Sequence, residues 1–182
     1  MNALIDISYV TLKTPRLILR PWRETDLEDF YEYAKVDGVG QMAGWLPHES
    51  IEVSKKILGG FIAEKKTFAL EYQGKIIGSL GLENYPEEKF PQLSYLRGRS
   101  IGYVLSKDYW GQGLMPEAVS AVIDYAFKEL RLDFLVVGHF VRNSQSRRVI
   151  EKCGFTYMSD GTYETRYGTT ENVRDYILKR SF

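Results

Sequence analysis

The chain is poor in several things that would each have suggested a function. It has a single cysteine, Cys153, in 182 residues, which excludes an intramolecular disulfide framework. Its two histidines, His48 and His139, are too few for a histidine-built metal cluster, and no metal is expected. Lys plus Arg and Asp plus Glu both total 24. That balance removes the basic excess expected of a nucleic-acid binder. No apolar run approaches the ~18 residues of a membrane-spanning helix. The opening residues, MNALIDISYVTLK, lack the basic start and apolar core of a signal peptide. The expected location is therefore the cytoplasm, with no membrane or nucleic-acid partner. No repeat, low-complexity tract or linker divides the chain, so residues 1–182 are expected to form one domain. An apolar fraction of 44% excludes disorder. At 21.0 kDa folding should bury about 70% of the unfolded surface, enough for one core.

Periodicity outlines a mixed α/β chain. Leu17 to Arg20 suits a short strand stopped by Pro21, and Glu24 to Ala34 a helix with Leu27, Phe30, Tyr31 and Ala34 inward. Residues 37–48, rich in glycine, form a loop. Ser50 suits the cap of a second helix with Val53, Ile57, Phe61 and Ile62 inward. Two strands then flank the turn Gln73-Gly74. On the return strand Ile76, Leu80 and Leu82 should share one face, and Ser79, Gly81 and Glu83 the other. Residues 85–99, with two prolines, form a polar loop long enough to suggest a lid. A strand over 100–105, a glycine-bearing turn, a helix from Pro116 and the apolar strand 134–141 make a right-handed parallel crossover. Asn143 suits the cap of a short helix ending at Gly154. Two closing strands, 156–164 and 173–179, complete the pattern.

The most informative segment is Tyr109-Trp-Gly-Gln-Gly-Leu-Met-Pro-Glu117, between a strand and a helix. Its two glycines let backbone pass close to a ligand, and the amides at the helix start face outward, a site suited to phosphate. A Walker loop would need Lys and Ser or Thr where Leu114 and Met115 stand. A dinucleotide fingerprint would need glycine where Pro116 stands and an acid after the next strand, which ends Phe140-Val141-Arg142. An anion-binding turn of another kind is left.

Three segments, correctly ordered between about residues 14 and 155, resemble one family. Trp110-Gly-Gln-Gly-Leu-Met-Pro-Glu-Ala118 resembles the acetyl-CoA pyrophosphate loop of the GNAT superfamily of N-acetyltransferases. Asn143-Ser-Gln-Ser-Arg-Arg-Val-Ile-Glu-Lys-Cys-Gly-Phe155 is similar to that family's second signature. Thr14-Pro-Arg-Leu-Ile-Leu-Arg-Pro-Trp22 resembles the opening of the RimJ/RimL-like branch, the ribosomal-protein alanine acetyltransferases. The resemblance implies an α/β (α+β) GNAT fold with about four helices. Its mixed, mostly antiparallel sheet of about six or seven strands is splayed in the middle. It also implies acetyl-CoA as co-substrate. The backbone at Tyr103, Val104 and Leu105 would hold the pantetheine, with the amide of Val104 or Leu105 polarising the thioester carbonyl. Trp110, Gly111, Gln112, Gly113, Leu114, Met115, Asn143, Ser146 and Arg148 would complete the cofactor site. Two departures stand out: Met115 replaces a small residue, and Ile150 stands where many members carry a tyrosine general acid.

Acetyl transfer requires an amine to lose a proton, an oxyanion to be stabilised and a thiolate to be received. Ser146 falls on the inward helix face by periodicity, and the resemblance places it by the CoA sulfur; its alternative is a bond back to the helix. Glu83, ending a strand on its polar face, is the candidate base. Glu164 and a water relay compete with it. Cys153, on an apolar face without a nearby histidine, fits packing better than nucleophilic chemistry. His139, inside an apolar strand, fits a satisfied core histidine, and Trp45, Tyr85 and Tyr95 stand in loops that could line the way to the site. The leading expectation is an N-acetyltransferase acting on a primary amine, a peptide N-terminus or a small amine, as monomer or homodimer. The rival is a non-catalytic acyl-CoA-binding or sensing module. Charge is also unevenly spread. Residues 142–152 carry four bases against one acid, and residues 23–32 five acids against one base.

Overall fold

The computed structural model describes residues 1–181. The described residues form one mixed sheet of eight strands in the order β1-β2-β3-β4-β5-β6-β8-β7. In chain order these are β1 (Leu12–Lys13), β2 (Ile18–Pro21), β3 (Thr67–Tyr72), β4 (Lys75–Glu83) and β5 (Gly98–Leu105). They continue with β6 (Phe134–Phe140), β7 (Thr156–Glu164) and β8 (Thr170–Lys179). The helices are α1 (Leu27–Ala34), α2 (Ile51–Glu64), α3 (Leu114–Lys128) and α4 (Ser144–Lys152). Among the eight described strands only β5 and β6 pair in parallel, joined through α3 as the crossover pattern predicts. The two-residue β1 is the strand periodicity did not show.

Each face of the sheet has its own core. On one, α3 and α4 cover Leu80, Leu82, Ile101, Leu135 and Val137. On the other, α1 and α2 enclose Trp22, Phe30, Leu58, Ala69 and Ile76. Arg20 of β2 anchors this second layer, its guanidinium gripping Asp26 through two bonds of 2.9 and 2.8 Å and Glu71 at 2.6 Å. Because Arg20 and Asp26 are both buried, breaking the pair by removing one partner should cost about 3–5 kcal/mol.

Three expectations change. Ile76 does not share a face with Leu80 and Leu82. The register between β3 and β4 slips at Leu70/Glu71, so that Glu71 faces Ile76 and Leu70 faces Gly78. The extra residue flips Ile76 to the α1–α2 face and leaves Ile77 with the leucines. In α2 the buried positions are Ser54 and Leu58, while Val53 and Ile62 are exposed; Ser50 occupies the cap position without a side-chain bond to a helix amide. Finally, residues 85–97 are no free lid. Tyr85, Phe90 and Leu93 pack on Phe134 and Val136 of β6, and the Tyr85 hydroxyl accepts from the Met1 amino group at 2.7 Å.

Candidate active site

The sheet opens between β5 and β6. Their parallel pairing covers only Gly98–Ser100 against Phe134–Val136. Beyond it, β6 continues on β8 and β5 continues on β4. The second half of β5 therefore has a strand on one side only. One step past the Gly78↔Leu105 pair, the Ser106 amide donates to the Ile77 carbonyl at 2.7 Å. Antiparallel ladders alternate bonded and non-bonded pairs, so Val104 turns its backbone groups toward β4. The Val104 carbonyl lies where a side chain on Gly78 would stand. Tyr103 and Leu105 turn theirs toward the gap. Of the three expected pantetheine-holding residues, the Val104 amide is thus spent on β4, and the amides of Tyr103 and Leu105 face the opening. The Leu105 carbonyl already accepts the Trp110 indole N–H at 2.8 Å.

At one end of the gap stands the glycine turn. Gly111 and Gly113 both have φ of +75°, a conformation glycine adopts without strain. A Cβ on Gly111 would meet open space, so the exposed turn can lie against a ligand. Leu114 and Met115 are buried in the core; only their amides, at the α3 N-terminus, remain for an anion. Met115 fills core space where a small residue was expected. The third motif supports this turn from below. Arg16 donates to the Gln112 carbonyl at 2.9 Å and to Glu117 at 2.8 Å, and Thr14 donates to Glu117 at 2.6 Å. Partial burial works against the Glu117 charge, but these bonds outweigh it and hold its pKa below the ordinary carboxylate value.

On the α3–α4 side, Asn143 caps α4 as expected, its Oδ1 accepting from the Ser146 amide at 3.1 Å. The Ser146 hydroxyl meets Tyr103 Oη at 2.8 Å. That side-chain contact has no signature in the spacing, because Tyr103 lies on β5 and Ser146 on α4. Burial pushes the Tyr103 phenol well above its usual value, and the bond to Ser146 pulls the other way.

The opposite side of the gap carries Glu83. It pairs with Lys66 at 2.8 Å and accepts from Thr67 at 3.3 Å. Its carboxylate lies over Gly81, and a Cβ on Gly102 would find the Glu83 Cγ at 3.7 Å as its nearest neighbour. Gly102 and Gly138 are exposed on β5 and β6. Glycines thus floor a trough beside Glu83. Ser146 and Glu83 consequently lie on opposite faces of the sheet, with the gap between them. Glu164 sits exposed on the outermost strand, accepting from Thr170 at 2.6 Å.

A strap crosses the same end of the gap, beginning beside the turn, where the Lys107 ammonium donates to the Asp37 carbonyl at 3.5 Å. Residues 37–48 reach the β6 end, where Arg142 donates to the Gln41 carbonyl at 3.0 Å. They reach the β7–β8 turn, where the Arg166 amide donates to the Gly44 carbonyl at 2.9 Å. Trp45 packs against His48 within this strap. Tyr85, by contrast, is buried against Phe134 and lines no approach to the site; Tyr95 is exposed. Arg142 is paired with Glu171 and Arg147 with Glu151, so the basic stretch keeps only Arg148 and Lys152 without an ion pair among the described residues. The Cys153 thiol is half-buried against the Pro116 carbonyl, and burial raises its pKa. His139 is satisfied on one side only: Nδ1 donates to the Phe140 carbonyl at 2.8 Å, and Nε2 is buried without a partner.

A split between adjacent parallel strands thus has a glycine turn with free helix-start amides at its edge, Glu83 on one face and Tyr103 with Ser146 on the other. The acetyltransferase (GNAT) domain family matches residues 16–156. The chain belongs to this family of N-acetyltransferases. One relative, the probable N-acetyltransferase YjcK of Bacillus subtilis, is 53% identical over 55 residues, 30% of each chain. The match thus spans less than a third of that relative. Two solved structures align over nearly the whole chain. A GNAT-family acetyltransferase of Bacillus anthracis superposes with a TM-score of 0.80 at 21% identity, covering 93% of this chain and 98% of its own. A putative ribosomal-protein-serine acetyltransferase of Vibrio cholerae gives 0.76 at 18% identity, covering 95% and 99%. At these identities the likeness is one of fold. No helix among the described residues is long and apolar enough to cross a membrane.

Proposed function

We propose that this chain is a cytoplasmic, acetyl-CoA-dependent N-acetyltransferase that works by direct attack of a primary amine within a ternary complex. The observation that carries the reading is the unpartnered second half of β5, whose Tyr103 and Leu105 amides face the gap. An extended pantetheine can bond there as a strand would. The pyrophosphate would rest on the amides of residues 111–115, with Arg148 free to pair with it, and Asn143 and Ser146 would flank the thiol end. The Leu105 amide would polarise the thioester carbonyl, since a fixed N–H facing the gap can stabilise developing negative charge. Glu83 would take the amine's proton from the trough face, directly or through a water. As the C–N bond forms and the C–S bond breaks, the electron pair passes to sulfur beside the Ser146 hydroxyl.

The acceptor is a peptide N-terminus. Support comes from the opening motif's resemblance to the RimJ/RimL-like branch and from the fold shared with the Vibrio cholerae protein. The glycine-floored trough adds support, since it admits an extended backbone against the sheet. The test is thiol release from acetyl-CoA with peptides beginning in Ala or Ser and with small amines. Peptide-dependent release that falls at least ~100-fold in Glu83→Gln is expected, the usual scale for losing a general base. Tight CoA binding with no thiol release on any amine would instead establish a binding module.

A further inference from the structure

Ile150 leaves α4 without a tyrosine, yet a tyrosine hydroxyl reaches the same helix from another element. Tyr103 leaves β5 on the α3–α4 face and places its Oη 2.8 Å from Ser146 Oγ and 3.3 Å from the Ser146 carbonyl. The serine is fixed from its other side, because Asn143 holds the Ser146 amide. Tyr103 is the one side chain hydrogen-bonded to the Ser146 hydroxyl among the described residues. From this geometry we infer that Tyr103 is a positioning residue: it donates its proton to Ser146 Oγ, so that the serine's own O–H is aimed outward at the departing sulfur. This rests on the proposed placement of the thiol at Ser146.

The direction of the chain of bonds follows from chemistry. A buried phenol resists ionisation, so Tyr103 stays neutral, and of the two Ser146 oxygens in its reach the hydroxyl at 2.8 Å is nearer than the carbonyl at 3.3 Å, so its one proton goes to the hydroxyl. A hydroxyl that accepts one hydrogen bond becomes a better donor in the next. The sulfur receives the electron pair of the broken C–S bond, and the two hydroxyls stabilise it without losing a proton. The thiolate takes its proton from water on release.

The test needs no acceptor. CoA with its free thiol is bound to the wild type, Tyr103→Phe, Ser146→Ala and the double variant, and thiolate absorbance is followed against pH. The bound thiol should ionise at lower pH than free CoA. Tyr103→Phe should raise that midpoint by about 0.5, Ser146→Ala by about 1, and the double variant by no more than Ser146→Ala, as expected for donors acting in series. Ser146→Thr, which keeps a hydroxyl, should restore the dependence on Tyr103. Additive shifts, or an unchanged midpoint in Tyr103→Phe while Ser146→Ala moves it, would overturn the inference and leave the thiol placement standing. An unchanged midpoint in Ser146→Ala would instead refute the thiol placement, and the inference with it. Thermal melting of Tyr103→Phe within a few degrees of the wild type confirms that the shift is not one of folding.

Discussion

The two halves of β5 have different employment. Over Gly98–Ser100 the strand is flanked on both sides, by β6 on one and on the other by Met1–Ala3 at Gly98 and by β4 at Ser100, and its backbone groups are consumed by the fold. Over Ile101–Leu105 it keeps β4 and loses β6, and backbone groups of the same kind become available to a ligand. Two glycines measure the contrast. A side chain on Gly98 would run into the Phe134 ring, whereas one on Gly102 would meet nothing nearer than the Glu83 Cγ at 3.7 Å. Gly98 is there for packing. Gly102 has no packing reason to be glycine, which is what a surface approached by a substrate requires.

This contrast can be broken most forcefully at Gly98. Gly98→Val should destabilise the protein by about 3 kcal/mol through overpacking, lowering the melting temperature by about 10 °C at this size. Turnover per folded molecule, measured below the transition, should be unchanged. The matching substitution four residues on should behave in the opposite sense. Gly102→Val should leave melting within about 2 °C, since space is open, but cut kcat/KM for the amine at least ~10-fold by filling the trough. Equal effects of the two valines on stability would remove the distinction between the halves. The smallest effect concerns the support beneath the turn. Glu117 has a depressed folded-state pKa, so its contribution is present above the unfolded value and lost as pH falls through the folded one. Wild-type stability should therefore decline from about pH 4.5 downward. Glu117→Gln should be less stable near neutrality and flatter across that acid range, as read by denaturant midpoints.

What could be read in advance was local. The Gln73-Gly74 turn has φ of +50° and +81°, Asn143 caps its helix, and the residue 109–117 turn is open at Gly111. In each case the conformation depends on residues a few positions apart, and glycine, asparagine and proline carry it in their own covalent geometry. One local reading failed, the side-chain cap expected of Ser50; the others that failed were long-range. The reach of residues 85–97 onto Phe134 depends on a strand about forty positions away in the sequence. The flipped Ile76 depends on a one-residue slip against β3, and a period-2 pattern has no way to announce a bulge.

The sequence by itself therefore determined the glycine turn, the capped α4 helix and the family to which both motifs point. Such features are written in chain-local dihedral preferences and amide positions. Only the tertiary structure decided that Glu83 and Ser146 stand on opposite faces of an opened sheet. It also decided that the Tyr103 hydroxyl on β5 reaches Ser146 on α4. Both follow from how far β5 and β6 run together before parting, and that length is set by packing on two faces at once.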